Sequence, residues 1–297
     1  MFNLTERDLS LIFYDSMATP SERDKKYFYH YFRTIQTNAK SINHKVFENV
    51  IQAYNIGAAA SDIIYQVPNW KEVNIEVKPK RAAVFEDEFD KTTINIPAML
   101  FYVNSVKAAL ELTKDQAILD LLLTAMGIPT IDIETGSSPV GPTGLNYIKL
   151  LSAGKLLDHN NADKMRCIIH NADGASQIMQ EDQFIDQDYT VGPILEDGKL
   201  ETFLNSYWWE IGKRVEGGLL PYDVQNNYYF TYMLAKNAIL GVRGTLDNTI
   251  VVERVPNKDG DHVLGRSAYG VGIVLPNSIA KVEYVGGIGF TPFMGGN

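Results

Sequence analysis

Between Asn95 and Pro129 the chain carries one long helical pattern, and this feature narrows the possible folds most. Asn95-Ile96-Pro97 gives a start with proline in the first turn, and Gly127 with Pro129 gives the stop. Between them Met99, Val103, Val106, Leu110, Ala117, Leu121 and Ala125 form a nearly continuous apolar stripe. At 1.5 Å per residue, about thirty residues predict a rod of about 45 Å. A globular helix typically runs about 11–12 residues. A spine of this length suits an elongated architecture better than a compact one.

What precedes the spine has little core of its own. Val73, Ile75 and Val77 alternate with Glu72, Asn74, Glu76 and Lys78, the period of a half-exposed strand, and Pro79 falls at its end. A second extended run, Ala82 to Ile94, carries Glu86, Asp87, Glu88 and Asp90. The two runs predict a long hairpin with a basic patch (Lys78, Lys80, Arg81) and an acidic one. Such an arm needs a neighbour to cover it; the competing reading of its charges is a solvated surface.

Residues 1–55 read as helical and stand apart. Thr19-Pro20-Ser21-Glu22 is a capping-box pattern that opens a helix through Tyr27, Tyr29, Phe32 and Ile35. Val46, Val50 and Tyr54 at a four-residue spacing predict a second helix over 43–54, stopped by Gly57. This segment has 7 basic and 6 acidic residues, a charge of +1, against a whole-chain charge of −9. The body therefore carries −10. After a Gly/Pro loop at 136–144 an α/β region follows: helix 145–160, strand 165–170, helix 173–182, then strands at 207–211, 228–234, 250–254, 270–275 and 278–285. The last twelve residues hold five glycines.

Composition and motifs exclude several functions. A net charge of −9 argues against a protein that wraps nucleic acid through a general basic face. Cys167 is the one cysteine, so no intrachain disulfide is possible. The start has no apolar signal core and the most apolar stretch, 117–128, is too short to span a bilayer, so the chain is expected to be soluble and free of membrane. Gly136 to Thr143 imitates a phosphate-binding loop, but Pro142 stands where the lysine belongs. Gly174-Ala175-Ser176-Gln177-Ile178 imitates a nucleophile elbow, but Ile178 replaces the second glycine. Cys167 and His170 are three apart on a strand, which sends them to opposite faces and excludes a shared metal. The acidic run has no apolar pocket to raise a carboxyl pKa. No catalytic, metal or cofactor residue is predicted, and no cofactor is required.

The order of elements and several local motifs resemble the major capsid proteins of tailed bacteriophages, which share the Hong Kong 97 (HK97-like) fold. Leu145 to Asp158 resembles the family's A-domain helix. Asn161 to Asp173 resembles the strand segment after it, with Ala162 and Asn171 in place of the usual prolines. Tyr232 to Ile239 resembles a further strand of that domain, and Ser267 to Pro276 the closing "yG-x-x-v-l-x-P" strand.

The resemblance implies an α+β HK97-like fold. Its parts would be an N-terminal arm (1–56), an extended E-loop hairpin (57–95), a P domain with the spine helix (96–130 and 266–290), an A domain (131–265) and a flexible tail (291–297). It implies a shell protein that forms pentamers and hexamers and encloses double-stranded DNA without reading its sequence. It further implies portal and possibly scaffolding or decoration proteins as partners, assembly in the host cytoplasm and residence in the virion. Lys78, Lys80 and Arg81 of one copy would then face Glu86, Asp87, Glu88 and Asp90 of another. The rivals are an encapsulin-type nanocompartment shell and a cytosolic α/β enzyme built on the 136–143 loop or Ser176.

Overall fold

The computed structural model describes residues 27–47, 69–87, 99–132, 143–180, 195–196, 199–200, 202–203, 206–211, 222–223, 228–245, 247–255 and 260–285. A single 3-10 turn, Phe28–Tyr31, precedes β1 (Arg33–Thr37), β2 (Ser41–Phe47), β3 (Trp70–Glu76) and β4 (Lys78–Asp87). Helix α1 (Met99–Thr124), β5 (Thr130–Ile131), α2 (Tyr147–His159), β6 (Arg166–Asn171) and α3 (Ala172–Met179) follow. The remaining described elements are strands, β7 (Leu195–Glu196), β8 (Lys199–Leu200), β9 (Thr202–Phe203), β10 (Ser206–Ile211), β11 (Tyr222–Asp223), β12 (Tyr228–Ala235), β13 (Ile239–Gly244), β14 (Thr249–Val255), β15 (Gly260–Ile273) and β16 (Ile279–Val285), with a 3-10 turn at Pro276–Ser278 before the last.

Two sheets organise these elements. One has five strands in the order β1-β13-β15-β14, with β4 also paired to the long β15. The other has seven, in the order β5-β16-β12-β6-β10-β9, with β11 on β12. All six residues of β6 are buried, as a central strand covered on both faces requires. On one face Cys167, Ile169, Tyr232 and Leu234 meet Ile118, Leu119 and Leu122 of α1. On the other Ile168, Met233 and Val282 meet Leu150, Ala153 and Leu157 of α2 and Ile178 of α3.

Helix α1 spans both sheets. Its first half sets Val106 and Leu110 against Val263, Ala82 and Val84 of the five-stranded sheet. Gly265 lets them approach: a Cβ there would stand 2.4 Å from Val106 Cγ1 and 2.8 Å from Leu110 Cδ1. At 26 residues it is a rod of about 39 Å. The expected stripe is right in its first half. In the second half the buried residues are Ile118, Leu119 and Leu122, while Ala117 and Leu121 are half-exposed.

The N-terminal expectations are corrected. The helix predicted through Tyr27 to Ile35 is a 3-10 turn followed by β1, which pairs in parallel with β13 from Arg33↔Leu240 to Thr37↔Gly244. The helix predicted over 43–54 is a strand up to Phe47, and its remainder lies outside the described residues. A spacing of four is also a multiple of two, so Val46 and Val50 fit either period.

The hairpin is corrected in its pairing. The two extended runs exist as β3 and β4 but do not pair with each other. β3 pairs with β2 from Ser41↔Glu76 to Phe47↔Trp70, and β4 pairs with β15 from Lys78↔Tyr269 to Asp87↔Gly260. Ile42, Val73 and Ile75 of the true hairpin rest on Leu240 and Val242. Pro79 lies near the start of β4, where its missing N–H suits an outer strand. The later elements match within a few residues, except that β15 begins at Gly260, ten residues before the strand expected there. The 133–142 part of the Gly/Pro loop and the glycine-rich end lie outside the described residues.

Candidate functional site

The predicted charged residues lie along one strand. Lys78, Lys80, Arg81 and Asp87 of β4 are exposed, while Glu86 is only 6% exposed and lies opposite Asp261. Glu88 and Asp90 lie outside the described residues. Strand alternation divides the expected basic patch. Lys78 and Lys80 share the face of Ala82 and Val84, which α1 covers further along. Arg81 lies on the other face with Ala83, Phe85 and Asp87, directly opposite Arg266. The basic and acidic groups therefore do not sit on two strands of one hairpin, and Glu86 belongs to the interior of the sheet rather than to a solvated edge. A β4 studded with Lys, Arg and Pro has the composition that keeps outer strands from pairing at random.

A second set of residues went unseen in the sequence. Lys114, fully buried on α1, donates to Asp247 Oδ2 at 2.8 Å and Asn248 Oδ1 at 2.7 Å. Asn248 Nδ2 donates to Glu111 Oε1 at 2.5 Å, and Ser267 Oγ donates to Asp247 Oδ1 at 2.5 Å. The Tyr29 hydroxyl donates to Glu111, and its backbone N–H donates to Asp115 Oδ1 at 3.0 Å. Lys114 Nζ also sits 5.0 Å from the centroid of the Tyr29 ring and 5.9 Å from that of Tyr269. Asn248 adopts φ 59°, the left-handed conformation that asparagine tolerates. Burial and the Glu111 carboxylate push the Tyr29 phenol up.

This polar waist ties the N-terminal turn, α1, the β13–β14 turn and β15 together. The sequence holds one sign of it: residues 111–115 interrupt the apolar stripe with Glu, Lys and Asp. The charged groups of the cluster pair with one another, while the Tyr269 hydroxyl is buried without a hydrogen bond; the cluster acts as a fastening between elements.

The motifs that imitate active sites resolve into structural roles. Ser176 Oγ donates to the Asp173 carbonyl at 2.8 Å, a bond within its own helix. Gly174 is there for space, since a Cβ would stand 2.8 Å from the Tyr284 hydroxyl. That hydroxyl donates to Asn171 Oδ1, which also accepts from the Gly174 N–H at 2.8 Å and so caps α3. His170 packs its ring edge-on to Trp208 at 5.2 Å, and burial lowers its pKa. Cys167 belongs to the core on the opposite face of β6, and burial raises its pKa well above the usual thiol value. Among the described residues no group of three or more His, Cys, Asp or Glu could hold a metal. None of their helices is long and apolar enough to cross a membrane.

Lys149 is a further buried cation. Its Nζ donates to the carbonyls of Thr143 at 3.0 Å and Glu283 at 2.9 Å, fixing α2 to β16. Burial brings its pKa down to about 8.

Comparison with known proteins bears on the whole arrangement. A sequence profile described as phage capsid protein matches residues 30–285. No curated protein matches the chain. Solved structures with the same fold include the capsid of cyanophage P-SCSP1u, at 13% identity and TM-score 0.66, covering 88% of this chain and 89% of that one. The capsid of an empty GTA particle has 8% identity, TM-score 0.64 and coverage of 92% and 97%. The head of Helicobacter pylori bacteriophage KHP40 has 10% identity, TM-score 0.63 and coverage of 86% and 88%. The architecture is thus the α+β HK97-like capsid fold.

Proposed function

The chain belongs to the phage capsid protein family, and from that premise we propose that it is the major head protein of a tailed phage. It assembles through pentamers and hexamers into an icosahedral shell around double-stranded DNA. The observation that carries this reading is the profile match over residues 30–285 to phage capsid proteins. The fold supports it with a two-stranded arm, β2–β3, on which Trp70 and Glu72 are exposed, and a five-stranded sheet whose outer strand is rich in charge.

In this reading the β2–β3 arm is the E-loop, set between residues 41 and 76 rather than 57–95. The five-stranded sheet with α1 is the P domain, and the seven-stranded sheet with α2 and α3 is the A domain. β16, within the 266–290 segment, pairs with β12 and in this reading goes with the A domain. Lys78, Lys80, Arg81 and Asp87 remain contacts to neighbouring copies, now displayed from the P domain. Heterologous contacts of this kind close into rings. A portal, a scaffolding protein and assembly in the host cytoplasm complete the proposal. No cofactor enters it.

The test is expression of the chain alone, followed by size-exclusion chromatography and negative-stain microscopy. Rings, sheets or shells are expected. A persistent monomer of 33.2 kDa with hydrolase activity would overturn the reading. Particles recovered from infected cells should hold double-stranded DNA; a protein cargo would favour an encapsulin-type compartment.

A further inference from the structure

The polar waist brings a lysine, an asparagine amide and a carboxylate into mutual contact. Lys114 Nζ lies 2.7 Å from Asn248 Oδ1, so the amide carbon stands one bond beyond a contact already made. Glu111 Oε1 lies 3.7 Å from that Nζ, and the same oxygen accepts from Asn248 Nδ2 at 2.5 Å. One carboxylate oxygen therefore reaches both nitrogens of a possible amine exchange, which is the position of a general acid–base. The Lys114 side chain is fully shielded from water, and the rings of Tyr29 and Tyr269 flank its ammonium. Groups held in contact in this way have already lost the freedom that a reaction between separate molecules must take away.

Two details are surplus to an ordinary ion pair. Asn248 sits at φ 59°, a left-handed turn position that glycine fills with less strain, yet its amide is the part that reaches Lys114 and Glu111. Arg243 Nε is buried without a hydrogen bond, 4.0 Å from Asp247 Oδ2. Asp247 thus has a second cation beside it and a bond from the Ser267 hydroxyl, and it stays partnered if Lys114 loses its charge.

We propose that Lys114 and Asn248 join in an isopeptide bond within one chain, formed by the folded protein itself. Glu111 takes a proton from the ammonium, and the free amine attacks Asn248 Cγ. The Nζ–Cγ bond forms, the Cγ–Nδ2 bond breaks, and Nδ2 departs as ammonium. Of the three Nζ protons, one stays on the new amide and two pass by way of Glu111 to the departing nitrogen. Nothing is oxidised or reduced, and no cofactor or co-reactant enters. Asn248 is exposed at its turn, which gives the ammonium a way out. The bond ties residues 134 positions apart and so removes conformational freedom from the unfolded chain. It converts the waist from ion pairs to a covalent fastening between α1 and the β13–β14 turn. It needs no second copy and goes beyond the capsid reading.

The test is the mass of the full chain, purified and denatured. The expected mass is that of the sequence less one ammonia. Trypsin should release residues 108–149, uncut at Lys114 and branched to residues 244–254. The full sequence mass with separate peptides overturns the proposal. A deficit of one ammonia without the branched peptide marks a succinimide at asparagine and also overturns it. A deficit of one water, with the branch at Asp247, does the same. These measurements use the unaltered chain and depend on no variant folding. Glu111→Gln keeps the shape of the side chain and should turn the linked species from the major to a minor one; full retention of the link overturns the role of Glu111. A chain that assembles without the link counts against the bond alone. A linked chain that stays monomeric counts against the capsid reading alone.

Discussion

The two sheets differ in how much of their burial the chain supplies by itself. The seven-stranded sheet is covered on both faces, by α1 and the N-terminal aromatic residues on one side and by α2 and α3 on the other. Among the described residues the five-stranded sheet is covered on one face by α1 and on the other, at one end, by its own two-stranded arm. The first half has its stability built in. Among the described residues the second has folded geometry but less complete burial, with exposed apolar residues such as Phe85 set among charges. A shell subunit needs that division, because a fully self-satisfied surface would have no reason to associate.

The comparison is open to direct attack. The largest effect should come from the waist that joins the halves: Lys114→Met leaves Glu111 and Asp247 buried without their cation and should cost about 3–5 kcal/mol, read by urea unfolding. If the halves are one cooperative unit, both near-UV and far-UV signals shift together; separate transitions would show that the waist alone couples them. Next, Leu150→Ala opens a cavity in the seven-stranded half, and a loss of about 2–5 kcal/mol is expected with assembly impaired only through stability.

A smaller effect follows from titration. The folded-state pKa of Lys149 is depressed to about 8, below its unfolded value of about 10.4, so between these limits the unfolded chain binds the proton more readily. Stability should therefore rise with pH from about 8 towards 10. Above 10 the trend should reverse. Burial raises the pKa of Tyr29, Tyr31, Tyr232, Tyr269 and Tyr284, so there the unfolded chain ionises first. In Lys149→Met the rise should vanish and the fall remain, as unfolding midpoints measured at one-unit pH steps will record. The smallest change in the monomer should be Phe85→Ala, within about 0.5 kcal/mol because the residue is 42% exposed. A large loss of monomer stability would show that the five-stranded half is more self-sufficient than its exposure indicates.

The sequence disclosed elements whose partners are local or whose period is unambiguous. The spine, the α2–β6–α3 unit and β16 were legible because 3.6- and 2-residue periods, glycines and proline mark them. What failed had long-range causes. Arg33 to Thr37 form a strand because β13 offers a parallel edge some two hundred residues away, and no local propensity encodes that. The partners of β3 and β4 were misassigned because adjacency favours a hairpin, whereas β15 is long enough to take β4 along ten residues. The neighbourhood of Arg81 and Arg266 was hidden for the same reason, since it arises only through that ladder. The waist left a trace in the polar break at 111–115, but its completion by Asp247 and Asn248 required the fold.

That parallel pairing of β1 with β13 also sets a schedule. Arg33 leaves the ribosome long before Leu240, and at about 5–20 residues per second its strand waits on the order of ten seconds or more for the edge it joins. The five-stranded sheet, drawn from residues 33–37, 78–87 and 239–273, is then among the last parts of the chain to close. The ladder that joins β4 to β15 therefore does not exist on a nascent chain until the end of β15 has been made.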